Sequence, residues 1–258
     1  MAAFQESPGG PFYTDPETYT RPSRGYLLTK THCGGRCNQC PPNKYIENQH
    51  TFSHRCFDGY HIAKDEENIP TKVMGSYSQD LLARAVHIIR DPLDNIVSRF
   101  HLTYKHFVKK NHTEQLALYP RSKEGFRAFC KEMGRRFYQE EMDHRFYQYV
   151  FEDMKDIPCH ADFFRYIQWH NLAFATTDEL DIPTHVIHYE NYTNNFNETK
   201  DLLLNFLDQE QVHAPPLFET GKTYREYFTD GEVEAISVMF KKLASTKAWH
   251  YLRHYFVE

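Results

Sequence analysis

No stretch of this chain is apolar enough, for long enough, to cross a bilayer as a helix, and residues 1–25 lack the basic-then-apolar order of a secretory signal. The chain as written is therefore expected to be soluble. Positive charge is not in excess either. The 30 Lys and Arg against 35 Asp and Glu leave a formal net charge of −5, which excludes a surface built to coat a polyanion such as nucleic acid. Any anion site must then be a local pocket. Internal repeats and low-complexity tracts are also missing. What is present is ordinary in bulk: 258 residues, 40% hydrophobic and 25% charged, suit one domain with a substantial core. Less ordinary are the 20 Phe and 18 Tyr, which suit a core built of rings and a groove able to stack on sugars or bases.

Six cysteines leave several readings open. Cys33, Cys37, Cys40 and Cys56 cluster near His50 and His54, whereas Cys130 and Cys159 stand apart. The spacing C-x3-C-x2-C-x15-C admits local disulfides, a zinc knot or free thiols. Three N-x-T sequons, at Asn111, Asn191 and Asn197, tilt the reading toward a lumenal, glycosylated protein.

Residues 1–24, with Pro8, Pro11, Pro16 and Pro22, read as an extended or disordered lead-in to a domain spanning 25–258. Tyr26-Leu27-Leu28-Thr29 reads as a buried strand ending at Lys30-Thr31-His32, and 33–80 as a long irregular insert bearing the cysteines. Beyond it, apolar spacing predicts a strand at Val86–Ile89, a helix from Pro92, and a second helix over Ser122–Tyr138. A third helix is predicted over His160–Thr177, then a strand at Thr184–His188 and helices over Thr199–Leu207 and Val233–Leu243. An aromatic tail with Trp249, Tyr251, Tyr255 and Phe256 follows. Strands alternating with helices predict a three-layer α/β fold, a mainly parallel sheet with helices on both faces. In such folds ligands gather at the carboxyl ends of strands, where Lys30 and His32, Arg90, and Tyr189 and Glu190 all fall.

The most informative run is Val86-His87-Ile88-Ile89-Arg90-Asp91-Pro92-Leu93-Asp94-Asn95-Ile96-Val97-Ser98. A buried strand turns directly into a helix. Arg90 leaves the strand end, Asp91 can cap the helix, Pro92 suits its first turn, and Leu93, Ile96, Val97 and Phe100 form one apolar face. Ser98 lies two turns on, so a guanidinium fork and a hydroxyl can hold a phosphate between them. The competing reading pairs Arg90 with a carboxylate.

R-D-P-L-D-N-I-V-S resembles the 3′-phosphate-binding motif, R-N-P-x-D-x-x-x-S, of sulfotransferases that use 3′-phosphoadenosine 5′-phosphosulfate. Tyr26–His32 resembles the family's strand ending in K-T-H, and His188-Tyr189-Glu190-Asn191 its Y-E-D segment. Gly221–Thr229 resembles the segment that closes over the 3′-phosphate. The resemblance implies His32 as general base and Lys30 at the transferring sulfuryl group. It implies Arg90 and Ser98 at the 3′-phosphate with Lys222 or Arg225 completing that site, and Tyr189 at adenine. It covers roughly residues 26–256 and implies a P-loop-NTPase-like sulfotransferase fold, with no metal.

Three departures matter. Cys33-Gly34-Gly35-Arg36-Cys37 opens an insert where cytosolic members continue L-P, and Arg90 lies 58 residues beyond His32, a spacing closer to Golgi or algal-type members. The R-K-G triplet of cytosolic members is missing near Lys222. The 5′-phosphosulfate loop, a P-K-x-G-T-T or P-G-S-G-N-T-W signature, is not found in residues 1–29. The fold is thus expected to be N-terminally incomplete, or the chain a divergent member. The expected function is sulfuryl transfer to an acceptor hydroxyl, with carbohydrate as the acceptor class and no nucleic-acid partner. Membrane contact would come only through a segment outside this chain, and the Golgi lumen is favoured over the cytoplasm. Two rivals stay open: a catalytically silent nucleotide-binding relative, and an interaction module built on a zinc knot of Cys33, Cys37, Cys40 and Cys56.

Overall fold

A computed structural model of the protein describes residues 33, 48–64, 67, 69–76, 79–141, 152, 154–215 and 222–256. The lead-in 1–24, the strand expected over 26–29 and the Lys30-Thr31-His32 segment lie outside the described residues. Described elements are, in order, α1 (Gln49–Phe57), β1 (Asp58–Lys64), β2 (Pro70–Ser76), β3 (Ala85–Ile89), α2 (Pro92–Lys109), α3 (Thr113–Leu118) and α4 (Lys123–Glu141). There follow α5 (His160–Glu179), β4 (Thr184–His188), α6 (Asn191–Asn194), α7 (Phe196–Leu207), α8 (Asp230–Leu243) and α9 (Thr246–Leu252), with a 3-10 turn on each side of the last two, Arg225–Tyr227 and Arg253–Tyr255.

The molecule is mostly helical around a small parallel sheet. β3 and β4 pair in parallel with Ala85 opposite Thr184 and Ile89 opposite His188. The pairing continues one step further through the Tyr189 N–H, which donates to the Ile89 carbonyl at 2.7 Å. Among the described residues the parallel sheet has these two strands, where the sequence led us to expect a larger, three-layer sheet. His87 and Ile89 of β3 are buried, Val86 packs partly buried against the core, and Ile88 turns outward and is 55% exposed.

The stretch 33–80, read from its composition as irregular, carries regular structure. β1 and β2 form an antiparallel ribbon with Asp58 opposite Ser76 and Lys64 opposite Pro70. α1 is short and polar, with only Phe52, Cys56 and Phe57 buried, a stripe too narrow to announce itself by periodicity. It is stabilised locally by the Asn48 side chain, which accepts from the Thr51 N–H at 2.8 Å. It is stabilised at longer range by packing on Ala173 of α5 and by the Cys33–Cys56 disulfide. With Cys33 and Cys56 joined to each other, this pair matches the disulfide reading of the cysteines. Cys37 and Cys40 lie outside the described residues.

The main core surrounds α5, where Phe163, Ile167 and Phe174 meet Phe100 of α2, Phe126 of α4, and Phe228, Ile236 and Phe240 around α8. A second disulfide, Cys130–Cys159, ties α4 to the residue that opens α5. At the far end, Thr229 and Glu232 form a reciprocal capping box on α8, and Arg127 of α4 grips Glu232 and the Tyr227 carbonyl. No helix among the described residues is long and apolar enough to cross a membrane.

Gly125 shows how tightly α4 meets the loop before it. A Cβ there would lie 1.8 Å from the Pro120 carbonyl oxygen and 2.7 Å from that residue's nitrogen, all of it backbone. Gly→Ala in an open helix gains about 1 kcal/mol, but Gly125→Ala is expected to destabilise by about 2–3 kcal/mol through overpacking. A urea-unfolding midpoint that rises in the variant would contradict this contact.

Candidate functional site

Parallel pairing in register brings the ends of β3 and β4 out side by side, and the residues just beyond them meet. The Arg90 guanidinium carbon lies over the Tyr189 ring, 5.0 Å from its centre, a cation–π contact. Arg90 is half-buried, its Nε is buried without a hydrogen-bond partner, and it makes no ion pair among the described residues. A desolvated guanidinium left unmatched is unfavourable in a resting protein and is the natural complement of an anion.

The backbone at this tip is held on both sides. The buried Tyr166 of α5 donates its O–H to the Arg90 carbonyl at 2.6 Å. The Asp91 N–H donates to Glu190 Oε1 at 2.9 Å. Asp91 in turn caps α2 by accepting from the Leu93 and Asp94 N–H groups at 2.7 and 3.1 Å, with Pro92 at the first helical position, as the sequence led us to expect. Glu190 Oε2 accepts from the Tyr255 hydroxyl at 2.7 Å, and that hydroxyl also meets His188 Nδ1 at 2.9 Å. The His254 ring stands edge-on to His188, 4.4 Å between centres.

Burial governs the titration of these groups. It raises the Asp91 carboxyl to about 6, helped by the nearby Asp94 and Glu190 charges and opposed by the two cap hydrogen bonds. Asp94 is raised too, mainly by burial, with the Arg90 charge pulling the other way. The Tyr255 and Tyr166 phenols are pushed up by burial and by nearby carboxylates. Burial lowers His188 to about 4, aided by His254, and lowers the interior His87 and His170 to about 4 and about 3.

These shifts set a pH dependence with a definite sign. The three histidines bind protons more weakly folded than unfolded, so they erode stability as pH falls from about 6.5 toward their folded values. Asp91 acts oppositely: its raised value gives stability that is full below its unfolded value of 3.8 and lost as pH rises through about 6. The lowered histidines outnumber the raised carboxyls of Asp91 and Asp94, so net stability is expected to fall between pH 6.5 and 4, and Asp91→Asn to steepen that fall. Urea midpoints measured across this range check it; a midpoint that rises steadily toward pH 4 would contradict it.

Ser98 sits on the α2 stripe formed by Asp94, Ser98, His101 and Lys105, each about one turn from the next. This stripe faces the segment after residue 221. Asp94 Oδ1 accepts the Tyr224 N–H at 2.6 Å, and the His101 ring packs on Tyr224 and Tyr227 at 5.1 and 5.9 Å. Ser98, between those two contacts, therefore faces the same segment. Lys222 is exposed, and its charge, after those of Arg121 and Lys105, acts with burial to lower His101.

Of the residues singled out by sequence, the structure brings Arg90 and Tyr189 into contact and turns the Ser98 stripe toward the segment carrying Lys222 and Arg225. Arg225 itself is engaged elsewhere, with Asp230 Oδ1 at 2.7 Å and the Phe228 carbonyl at 3.3 Å. Lys30 and His32 lie outside the described residues, although the adjoining Cys33 is tied to α1. Residues that sequence reasoning left without a role are Glu190, Tyr255, Tyr166 and Asp94. Glu190 was visible as a strand-tip acid and Asp94 within the Arg90 motif, but no local signal joins Tyr255 to a residue 65 positions away. Among the described residues no group of three or more His, Cys, Asp or Glu side chains could hold a metal ion.

Comparison of the chain with protein-family models, with curated proteins and with solved structures finds no match in any of the three.

Proposed function

We propose that the protein is a sulfotransferase that moves a sulfuryl group from 3′-phosphoadenosine 5′-phosphosulfate to an acceptor hydroxyl, with carbohydrate the acceptor class, within the three-layer sulfotransferase fold. The observation that carries this reading is Arg90: a half-buried guanidinium over the Tyr189 ring at the tips of two parallel strands, with no ion pair among the described residues and a buried Nε without a hydrogen-bond partner. The donor's 3′-phosphate supplies the matching charge, Ser98 a hydroxyl, and Lys222 a further cation from the facing segment. Tyr189 lies against the adenine. Arg225, committed to Asp230, is left out of the anchor.

In the reaction the acceptor oxygen attacks sulfur in line. The new S–O bond forms as the bond to the bridging phosphate oxygen breaks, and that electron pair leaves on adenosine 3′,5′-bisphosphate. His32 takes the hydroxyl proton, a role suited to a group that titrates near neutrality. Lys30, two residues from it in sequence, steadies the sulfuryl and bridging oxygens. Lysine and arginine supply the positive charge, so the transfer asks for no metal. The two disulfides among the described residues and the sequons favour an oxidising, lumenal setting such as the Golgi.

The test is transfer of radiolabelled sulfuryl groups from the donor to a panel of glycans and simple alcohols. Transfer by the wild-type chain is expected, with His32→Ala lowering turnover by about 10²–10⁴-fold at unchanged donor affinity. Equal rates in the two proteins would remove His32 as the base. Donor binding without transfer to any acceptor would replace the enzyme with a silent nucleotide-binding protein.

A further inference from the structure

We infer that Glu190 is the positioning residue of the Arg90 anchor, and that Tyr255, from the turn after α9, holds Glu190 in place. The inference rests on reading Arg90 as a phosphate anchor. Its basis is the single peptide group joining residues 90 and 91. The carbonyl end of that group accepts from Tyr166 at 2.6 Å, and its N–H end donates to Glu190 Oε1 at 2.9 Å. A peptide plane bonded at both polar ends cannot rotate without breaking one of them. With the preceding peptide also held, its Ile89 carbonyl accepting from the Tyr189 N–H at 2.7 Å, the two planes together set the direction in which the Arg90 side chain leaves the strand.

Glu190 is itself fixed from the opposite side. Its Oε2 accepts from the Tyr255 hydroxyl at 2.7 Å, and the same hydroxyl oxygen accepts from His188 Nδ1 at 2.9 Å. With the phenol proton directed at Glu190, His188 is the N–H donor, so its neutral form carries the proton on Nδ1. One carboxylate thus joins the β3 tip, the β4 tip and the 253–255 turn. Residues 188, 190 and 255 belong to the anchor although none of them meets the phosphate in this reading.

Charge and position make opposite predictions for Glu190. Its negative charge lies near the anion site together with Asp91 and Asp94, and acts on both of those carboxyls. Were Glu190 significant only as a charge, Glu190→Gln would tighten anion binding. As a positioning residue it does the reverse: the amide keeps an acceptor for the Asp91 N–H but presents an NH₂ group where Tyr255 needs an acceptor, and the clamp loosens.

The experiment measures binding of adenosine 3′,5′-bisphosphate and of adenosine 5′-monophosphate by calorimetry to wild type, Glu190→Gln, Tyr255→Phe and the double variant, with a melting curve for each. Both single variants are expected to weaken the bisphosphate about tenfold, the scale of one charge-assisted hydrogen bond. The 5′-monophosphate, which lacks the anchored group, should be nearly unaffected. The double variant should be no weaker than Glu190→Gln alone, because the two residues act in series. Unchanged or tighter bisphosphate binding in a folded Glu190→Gln protein overturns the inference, as does a loss shared equally by both nucleotides. If those results accompany wild-type binding that Arg90→Ala abolishes, the anchor reading stands without Glu190. If wild type binds neither nucleotide, the anchor reading fails and this inference with it.

Discussion

Arg90→Ala is expected to weaken binding of adenosine 3′,5′-bisphosphate by about 100-fold while leaving the melting temperature unchanged or slightly raised. A bidentate guanidinium–phosphate contact combines two charge-assisted hydrogen bonds, each worth roughly 1.5–3 kcal/mol. A factor of 100 corresponds to about 2.8 kcal/mol, the lower end of their combined worth. The stability half of the prediction follows from what Arg90 lacks. With a buried, unpartnered Nε and no ion pair among the described residues, it stabilises the resting protein through its contact with Tyr189 and a weak effect on Asp94, against its own desolvation. Arg90→Lys would keep the charge but lose the planar fork and its contact with Tyr189, and an intermediate loss of about tenfold is expected. If Arg90 served only to neutralise Asp91, Asp94 and Glu190, the alanine variant would instead be clearly destabilised and nucleotide binding would not depend on it. Calorimetry and melting curves on the same preparations separate these outcomes.

Removing the Cys130–Cys159 bridge by a double substitution to alanine is expected to destabilise by about 3–4 kcal/mol. The two cysteines are 29 residues apart in sequence, and closing a loop of that length restricts the unfolded chain by this amount in the chain-entropy treatment. Both are also deeply buried, at 4% and 1% exposure, where the bridge joins α4 to the start of α5. For a chain of this size the loss corresponds to a fall of about 10 °C in melting temperature. The effect reaches the site because α5 supplies Tyr166, the donor to the Arg90 carbonyl. Protein produced in a reducing compartment should therefore be less stable and should bind nucleotide more weakly than oxidised protein. A loss under about 1 kcal/mol in the double variant would show that the bridge adds little to packing already present.

The parts of this structure that were legible in the sequence are those encoded by short-range chemistry. Asp91 before Pro92, followed by Leu93, Ile96, Val97 and Phe100, states a capped amphipathic helix outright, and all four apolar residues are buried. Thr184–His188 is a strand with the ends expected for it. α1 and the β1–β2 ribbon were illegible for the opposite reason. Only three residues of α1 are buried, and the helix depends on packing against α5 and on a disulfide 23 residues long. The site divides along the same line. Arg90 and Tyr189 each end a predicted strand, so their meeting required only that the strands be neighbours. The clamp of Glu190 by Tyr255, the commitment of Arg225 to Asp230 and the hold of Tyr166 on Arg90 depend on tertiary geometry that no local spacing encodes.

A crystal structure of the protein with adenosine 3′,5′-bisphosphate tests the central claim most directly. It should show 3′-phosphate oxygens within about 3 Å of the Arg90 guanidinium, Nε included, with the Ser98 hydroxyl on the same phosphate and adenine against Tyr189. A nucleotide bound elsewhere, with the Arg90 guanidinium turned onto Asp91, Asp94 or Glu190, would contradict it.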